Sequence, residues 1–281
     1  MAEYSYSRFI YLDTNIVSSF CKNESLWPML FDFLKENDLT VGIGAGQVAE
    51  LSDAQSLHVD LARFLMSVPT GIIKNWDEII TEEVQSHPKH RTNSLLMYPL
   101  NAILLEENGF EKLVQFLSSK ALSEARHNQR YNAKLMAGQH SMLKNNFPPK
   151  SSGSYTRKQA DEFSGAQVLQ WLSQTQIEFL KQVQGNIEEF NPNVFLSIRL
   201  FGYVIFYKYY LGRREPKKLS DFGDLFHLFA LPYCEIAIME RDLCETLNQI
   251  KKNYSVLELT NIYNIDFLKK FEPSIESDLT S

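Results

Sequence analysis

Four acidic residues, Asp13, Glu50, Asp224 and Asp242, stand where the chain pattern turns a carboxylate away from a core. Asp13 ends the run Phe-Ile-Tyr-Leu-Asp-Thr-Asn, residues 9–15, whose first four residues read as a short strand buried on both faces. Thr14 and Asn15 favour a turn or a helix start. In an open α/β sheet, ligands bind beyond the carboxyl ends of the strands, so an acid there faces a site or caps the next helix. Asp221 and Asp224 are three residues apart in the first turn of a predicted helix, on one face, where the helix N-terminus favours their anionic forms. Asp221 is read either as a further ligand or as a cap. Asp242 follows a strand over Glu235 to Met239 much as Asp13 follows the first. If those two strands are parallel neighbours, Asp13, Glu50, Asp224 and Asp242 converge on one edge of the sheet. Crowded carboxylates raise one another's pKa unless cations intervene. Oxygen ligands suit Mg²⁺ or Mn²⁺, which polarise a phosphodiester and activate water for in-line hydrolysis.

The elements that must position these acids alternate at both ends of the chain and not in the middle. Ser25 to Glu36 has helical spacing, with Pro28 tolerated in the first turn. Leu39 to Ile43 reads as a second strand, and Gly44-Ala45-Gly46 turns into a helix over Gln47 to Met66 with Glu50 in its first turn. Gly71 to Trp76 is a third strand. From Asp77 to Lys218 the pattern is almost wholly helical, including a helix over Thr156 to Gln184, and Asn145 to Ser154 reads as an exposed loop rich in Pro, Ser and Gly. Alternation resumes with a helix over Ser220 to Tyr233, the strand before Asp242, a helix over Asp242 to Lys252, a last strand over Val256 to Leu259 and a short helix over Asp266 to Phe271. The expected fold is a three-layer α/β/α domain with a central, mostly parallel sheet and a large all-helical insertion. Residues 1–281 form a single domain, with its core in 8–76 and 219–260, the insertion in 77–218 and a tail in 261–281.

With 44% hydrophobic and 22% charged residues in 281, the chain reads as an ordinary globular protein. Its net charge of −6 repels an anionic partner, which a local basic patch or metal ions must then hold. Arg126, Arg130 and Lys134 fall at i, i+4 and i+8, one helical stripe suited to phosphate contacts, and Arg213, Arg214, Lys217 and Lys218 form a second cluster. The aromatic run from Phe201 to Tyr210 surrounds its helix and reads as core rather than as a platform for bases. Phe195 to Leu211 carries Arg199 and Lys208 and is too short to span a bilayer comfortably, so it reads as a buried helix. Cys21, Cys234 and Cys244 lack metal-site spacing and suit a reducing cytosol, and Met1 to Arg8 has no signal-peptide character, which makes the expected location cytoplasmic. His227, amid Leu225, Phe226, Leu228 and Phe229, reads first as a core histidine and second as a site residue.

The order strand-Asp13-Thr-Asn15, then Ala49-Glu50-Leu51, then Asp224-x-x-His227, then a strand followed by Asp242, resembles the PIN domain, a family of metal-dependent ribonucleases. The resemblance covers roughly residues 9–66 and 220–259, and the interval between Asp224 and Asp242 matches it. It implies that Asp13, Glu50, Asp224 and Asp242 hold Mg²⁺ or Mn²⁺, that Asn15 helps hold the site, and that the activity is endonucleolytic, on single-stranded or structured RNA more than on DNA. The sequence departs from the family in its long insertion and in Glu240, which stands where a Thr or Ser usually precedes the last Asp. Other readings stay open. The scaffold could be an inactive binding module whose insertion recruits a protein, or a DNA nuclease of genome defence. An antitoxin partner or a homodimer belongs to the same set of expectations, and a membrane does not.

Overall fold

The β-branched and aromatic run Phe9–Leu12 becomes β1, the centre of a sheet in the computed structural model, which describes residues 8–91, 94–100, 106–146, 148–150, 153–184, 187–211 and 220–269. Helix α1 (Thr14–Lys22) follows Asp13 directly, and α2 (Trp27–Asn37) leads to β2 (Thr40–Gly44). Next come α3 (Ala45–Leu51), α4 (His58–Ser67), β3 (Thr70–Ile73), α5 (Trp76–Ser86) and β4 (Leu96–Pro99). The long helical stretch holds α6 (Gly109–Leu117), α7 (Lys120–Asn146), α8 (Arg157–Thr175), α9 (Ile177–Gln184) and α10 (Leu196–Ile205), the last running on into a π-helical turn over Phe206–Leu211. The chain returns through α11 (Ser220–Gly223), a 3₁₀ segment Asp224–Tyr233, β5 (Ile236–Ile238), α12 (Arg241–Asn253), β6 (Asn261–Tyr263) and α13 (Asp266–Lys269).

Among the described residues six strands lie in the order β4-β3-β2-β1-β5-β6, all parallel except β4, which pairs antiparallel with β3 at one edge. The fold is thus α/β with a mostly parallel sheet. Because β2 and β5 flank β1, the chain reverses direction across the sheet between β1 and β5. Such a switch point opens a crevice at the carboxyl ends of the strands. Side chains alternate across the pleat. Phe9, Tyr11, Ile73 and Ala237 join one buried cluster with Phe201, Val204 and Phe229, while Ile10, Leu12, Val41 and Ile238 join another with Phe20, Phe64 and Leu113. Helices therefore cover both faces. The middle of the chain shares the first of these cores with the sheet.

Four expectations are corrected. The helix expected over Gln47 to Met66 breaks after Leu51, where the Ser52 hydroxyl donates to the Ala49 carbonyl at 2.8 Å and competes with continued helix. The helix expected over Thr156 to Gln184 is likewise two, α8 ending at its cap Gln176. Val256 and Leu257 sit in a buried 3₁₀ turn that steps from α12 back to the sheet, and the last strand is β6 instead. Its start is fixed by the buried Thr260 hydroxyl, 2.6 Å from the Leu231 carbonyl and 2.9 Å from that of Cys234. Finally, the middle of the chain is not all helical, since β4 lies within it. The run from Phe195 to Leu211 is a buried helix as expected, with Phe201, Tyr203, Phe206, Tyr209 and Tyr210 in the core. Among the described residues no helix is long and apolar enough to cross a membrane. The three cysteines are free and buried.

Helices α8 and α10 meet so closely that a Cβ on Gly202 would lie 2.9 Å from the Ser164 Cα. The neighbour is backbone and cannot rotate away. Gly202→Ala gains up to about 1 kcal/mol of helix propensity but overpacks this crossing by about 1–3 kcal/mol. A net loss of stability in urea unfolding is expected, and a stabilised variant would show that the helices are not in this contact.

Candidate active site

Asp13 and Glu240 flank the switch point. The Asp13 amide donates to the Ile238 carbonyl at 3.0 Å, which ties the end of β1 to the end of β5. The Asp13 carboxylate accepts from the Thr14 amide at 2.9 Å, so it caps α1, and it also faces the other acids. Burial raises its pKa, and the Glu240 charge adds to that; the Thr14 amide, His227 and the Glu240 amide oppose it. Asn15 donates its side-chain amide to the Glu240 carboxylate. Glu240, at the position preceding α12, thus bears on both Asp13 and Asn15. Asp242 leaves the same end of β5, adjacent and parallel to β1, but lies two residues further on, exposed in the first turn of α12.

Glu50 comes from the other side, near the end of α3 and not in a first turn, because that helix begins at Ala45 and stops at Leu51. Its Oε2 accepts from the Thr14 hydroxyl at 3.1 Å and lies 3.5 Å from the His227 Nε2. Contact with His227 holds its pKa low against partial burial, and Thr14 and the more distant Arg126 act the same way. His227 is nearly closed to solvent yet aimed at the acids, with its Nε2 also 3.4 Å from the Gln129 Nε2. Gly46 allows this approach, since a Cβ there would stand 3.2 Å from the His227 ring.

Asp224 opens the 3₁₀ segment that carries His227. Its side chain is exposed to a concave basin, but the protein around that basin thins the solvent, and with Glu50 and Asp13 nearby its pKa rises to about 6. His227 and Lys208 oppose the shift. The expectation that a helix N-terminus favours the Asp224 anion is thereby corrected: α11 is only four residues long, and desolvation and like charge outweigh it. The side chain of Asp221, and Arg213, Arg214, Lys217 and Lys218, lie outside the described residues.

No family model matches the chain, and no curated protein or solved structure matches it. What the site can do rests on its own chemistry.

The basic stripe faces the acids. Arg126, Arg130 and Lys134 on α7 line a cleft of about 660 Å³ together with Glu50 and Asp224. Arg126 is mostly buried and pairs with Asp53, which Arg130 also reaches at 3.3 Å, while Lys134 has no ion pair among the described residues. Burial and the nearby Arg130 lower the Arg126 pKa. One concave surface thus carries carboxylates on one side and cations on the other. Among the described residues no three His, Cys, Asp or Glu side chains gather closely enough to hold an ion by themselves. Mg²⁺ commonly takes one or two carboxylates and keeps several waters. Burial is the first cause of the raised pKa of both Asp13 and Asp224, and neighbouring carboxylates add to it, Glu240 at Asp13 and Glu50 at Asp224.

Several residues of the site were not singled out in the sequence. Thr14, Asp53 and Gln129 are common polar residues whose partners lie between 36 and 98 positions away, so no local pattern could have flagged them.

Proposed function

We propose that the protein is a PIN-like, Mg²⁺- or Mn²⁺-dependent endonuclease acting on single-stranded or looped RNA. The observation that carries the reading is the cleft in which Glu50 and Asp224 face Arg126, Arg130 and Lys134. Phosphodiester hydrolysis needs both halves: cations to draw in a polyanion against the net charge of −6, and carboxylates where the reaction occurs. Asp13 and Asp224 would hold the metal, with Glu50 beside them and Glu240 behind Asn15. When bound, the ion would supply charge neutralisation at the scissile phosphate and an activated water. The chain's own residues do the rest. Lys134 and Arg130 bind and orient the phosphates, Asp53 fixes Arg126 at the cleft wall, and Thr14 and His227 keep the Glu50 carboxylate anionic and aimed.

The test is a cleavage assay with Mn²⁺ and with EDTA on single-stranded RNA, single-stranded DNA and both duplexes. Cutting of single-stranded RNA that EDTA abolishes is the expected result. Preferential cutting of DNA would move the substrate class, and tight RNA binding without any cutting would make the protein a binding module.

A further inference from the structure

Beside the acidic cleft lies a second cavity that the reaction does not use. It measures about 360 Å³, within the range of small-ligand sites, and opens at the carboxyl ends of β1, β2 and β3, where Tyr11, Gly44 and Ile73 line it. Its other wall is α7. On that helix Ala125, Asn128, Gln129 and Asn132 form one stripe facing the cavity, and Arg126, Arg130 and Lys134 form the next stripe facing the cleft. Gln129 lines both spaces, and His227, which touches both Gln129 and Glu50, stands at the partition.

We propose that this cavity receives the unpaired nucleobase of the nucleotide whose phosphate occupies the adjoining cleft. The proposal rests on the nuclease reading above and narrows its substrate to strands that can turn a base out. Four observations support it. The wall from α7 presents carboxamides, which donate and accept at once, as the edge of a nucleobase does. Among the described residues the side chains of Asn128 and Asn132 make no hydrogen bond, so both are free to serve a ligand. Trp76 lines the same space, its ring backed by Trp171 at 5.7 Å and Phe226 at 5.6 Å, a rigid mount for stacking. Finally, Tyr11 is 1% exposed and its hydroxyl has no partner among the described residues, although polar groups at such depth are as a rule satisfied. The charged groups that line the cavity do not contradict a neutral guest, since Lys74 is engaged by Glu82 and Asp77 is exposed at the start of α5.

The experiment measures binding of the full chain in EDTA, so that cleavage plays no part. The probes are fluorescent RNA octamers of each nucleotide, an octamer of abasic ribose phosphate with the same charge, and free nucleoside monophosphates. At least one base-bearing octamer is expected to bind about tenfold or more tighter than the abasic one. In Asn128→Ala/Asn132→Ala, two changes on the partly exposed face of α7, that preference is expected to collapse while the melting temperature holds. A preference that survives the double substitution, or equal affinity for base-bearing and abasic octamers, overturns the base site and leaves the nuclease reading standing. Monophosphates that bind as tightly as octamers overturn the strand as the guest. Failure of every octamer to bind overturns the nuclease reading itself.

Discussion

Asp13→Asn and Asp224→Asn are each expected to lower Mn²⁺-dependent cleavage about a thousandfold, because each removes charge from the pair proposed to hold a cation that supplies several kcal/mol of transition-state stabilisation. Neither change should unfold the protein. Asn caps a helix about as well as Asp, so α1 keeps its start. Both acids have pKa values raised in the folded state, so at neutral pH their charges work against folding. A neutral replacement is therefore expected to leave the melting temperature unchanged or to raise it. Activity falls while the melting temperature does not, and that separates a catalytic loss from a structural one. Glu50 differs, since its pKa is lowered by His227 and Thr14, and Glu50→Gln should reduce both activity and stability. Full cleavage by either Asn variant would reject the assignment of the acids.

The place of Asp13 at the end of a central strand was legible in sequence, because strand and helix boundaries set where a carboxylate points. β1 was evident from four residues buried on both faces, and once β1 and β5 are parallel neighbours Asp13 must share an edge with whatever follows Ile238. Which acid follows was harder to see. Asp242 and Glu240 are two residues apart, and only the start of α12 at Arg241 puts Glu240 at the preceding position, against Asn15. The basic stripe on α7 was readable from its i, i+4, i+8 spacing, but not its partner Asp53, which sits in the turn after α3 that the sequence pattern hid inside a longer helix. His227 misled for a similar reason. Its apolar neighbours do face the core, while a 3₁₀ segment, with three residues per turn, returns residue 227 to the same side as Asp224. β4 was missed because its four residues follow a stretch of helical pattern and pair only at the edge of the sheet.

A buried acid ties the far end of that 3₁₀ segment to α5 and α10, and it gives the second large effect. Glu83 on α5 is fully buried. Its Oε1 accepts from the Ser197 amide at 2.9 Å and from the Tyr233 hydroxyl at 2.6 Å, joining α5 to α10 and to the far end of the segment that begins at Asp224. Ser197 adds a hydrogen bond from its hydroxyl to the Phe229 carbonyl at 2.6 Å. Burial pushes the Glu83 pKa up to about 7, even though Tyr233, Ser197 and Arg91 favour the anion. The folded protein therefore binds a proton that the unfolded chain, with an ordinary carboxyl near 4.5, gives up sooner. Stability from this group is fully present below about pH 4.5 and is lost as pH rises through about 7, a change of about 3 kcal/mol. Glu83→Gln keeps an acceptor for Ser197 and Tyr233 but cannot titrate. Urea unfolding at pH 5 and pH 8 should then show the wild type losing about 3 kcal/mol relative to the variant between the two. Comparing the two proteins cancels the titration of Asp13, Asp224 and every other shared group. If their stabilities change in parallel with pH, Glu83 is ionised throughout, and the network that anchors the segment bearing Asp224 and His227 holds a charge, not a proton.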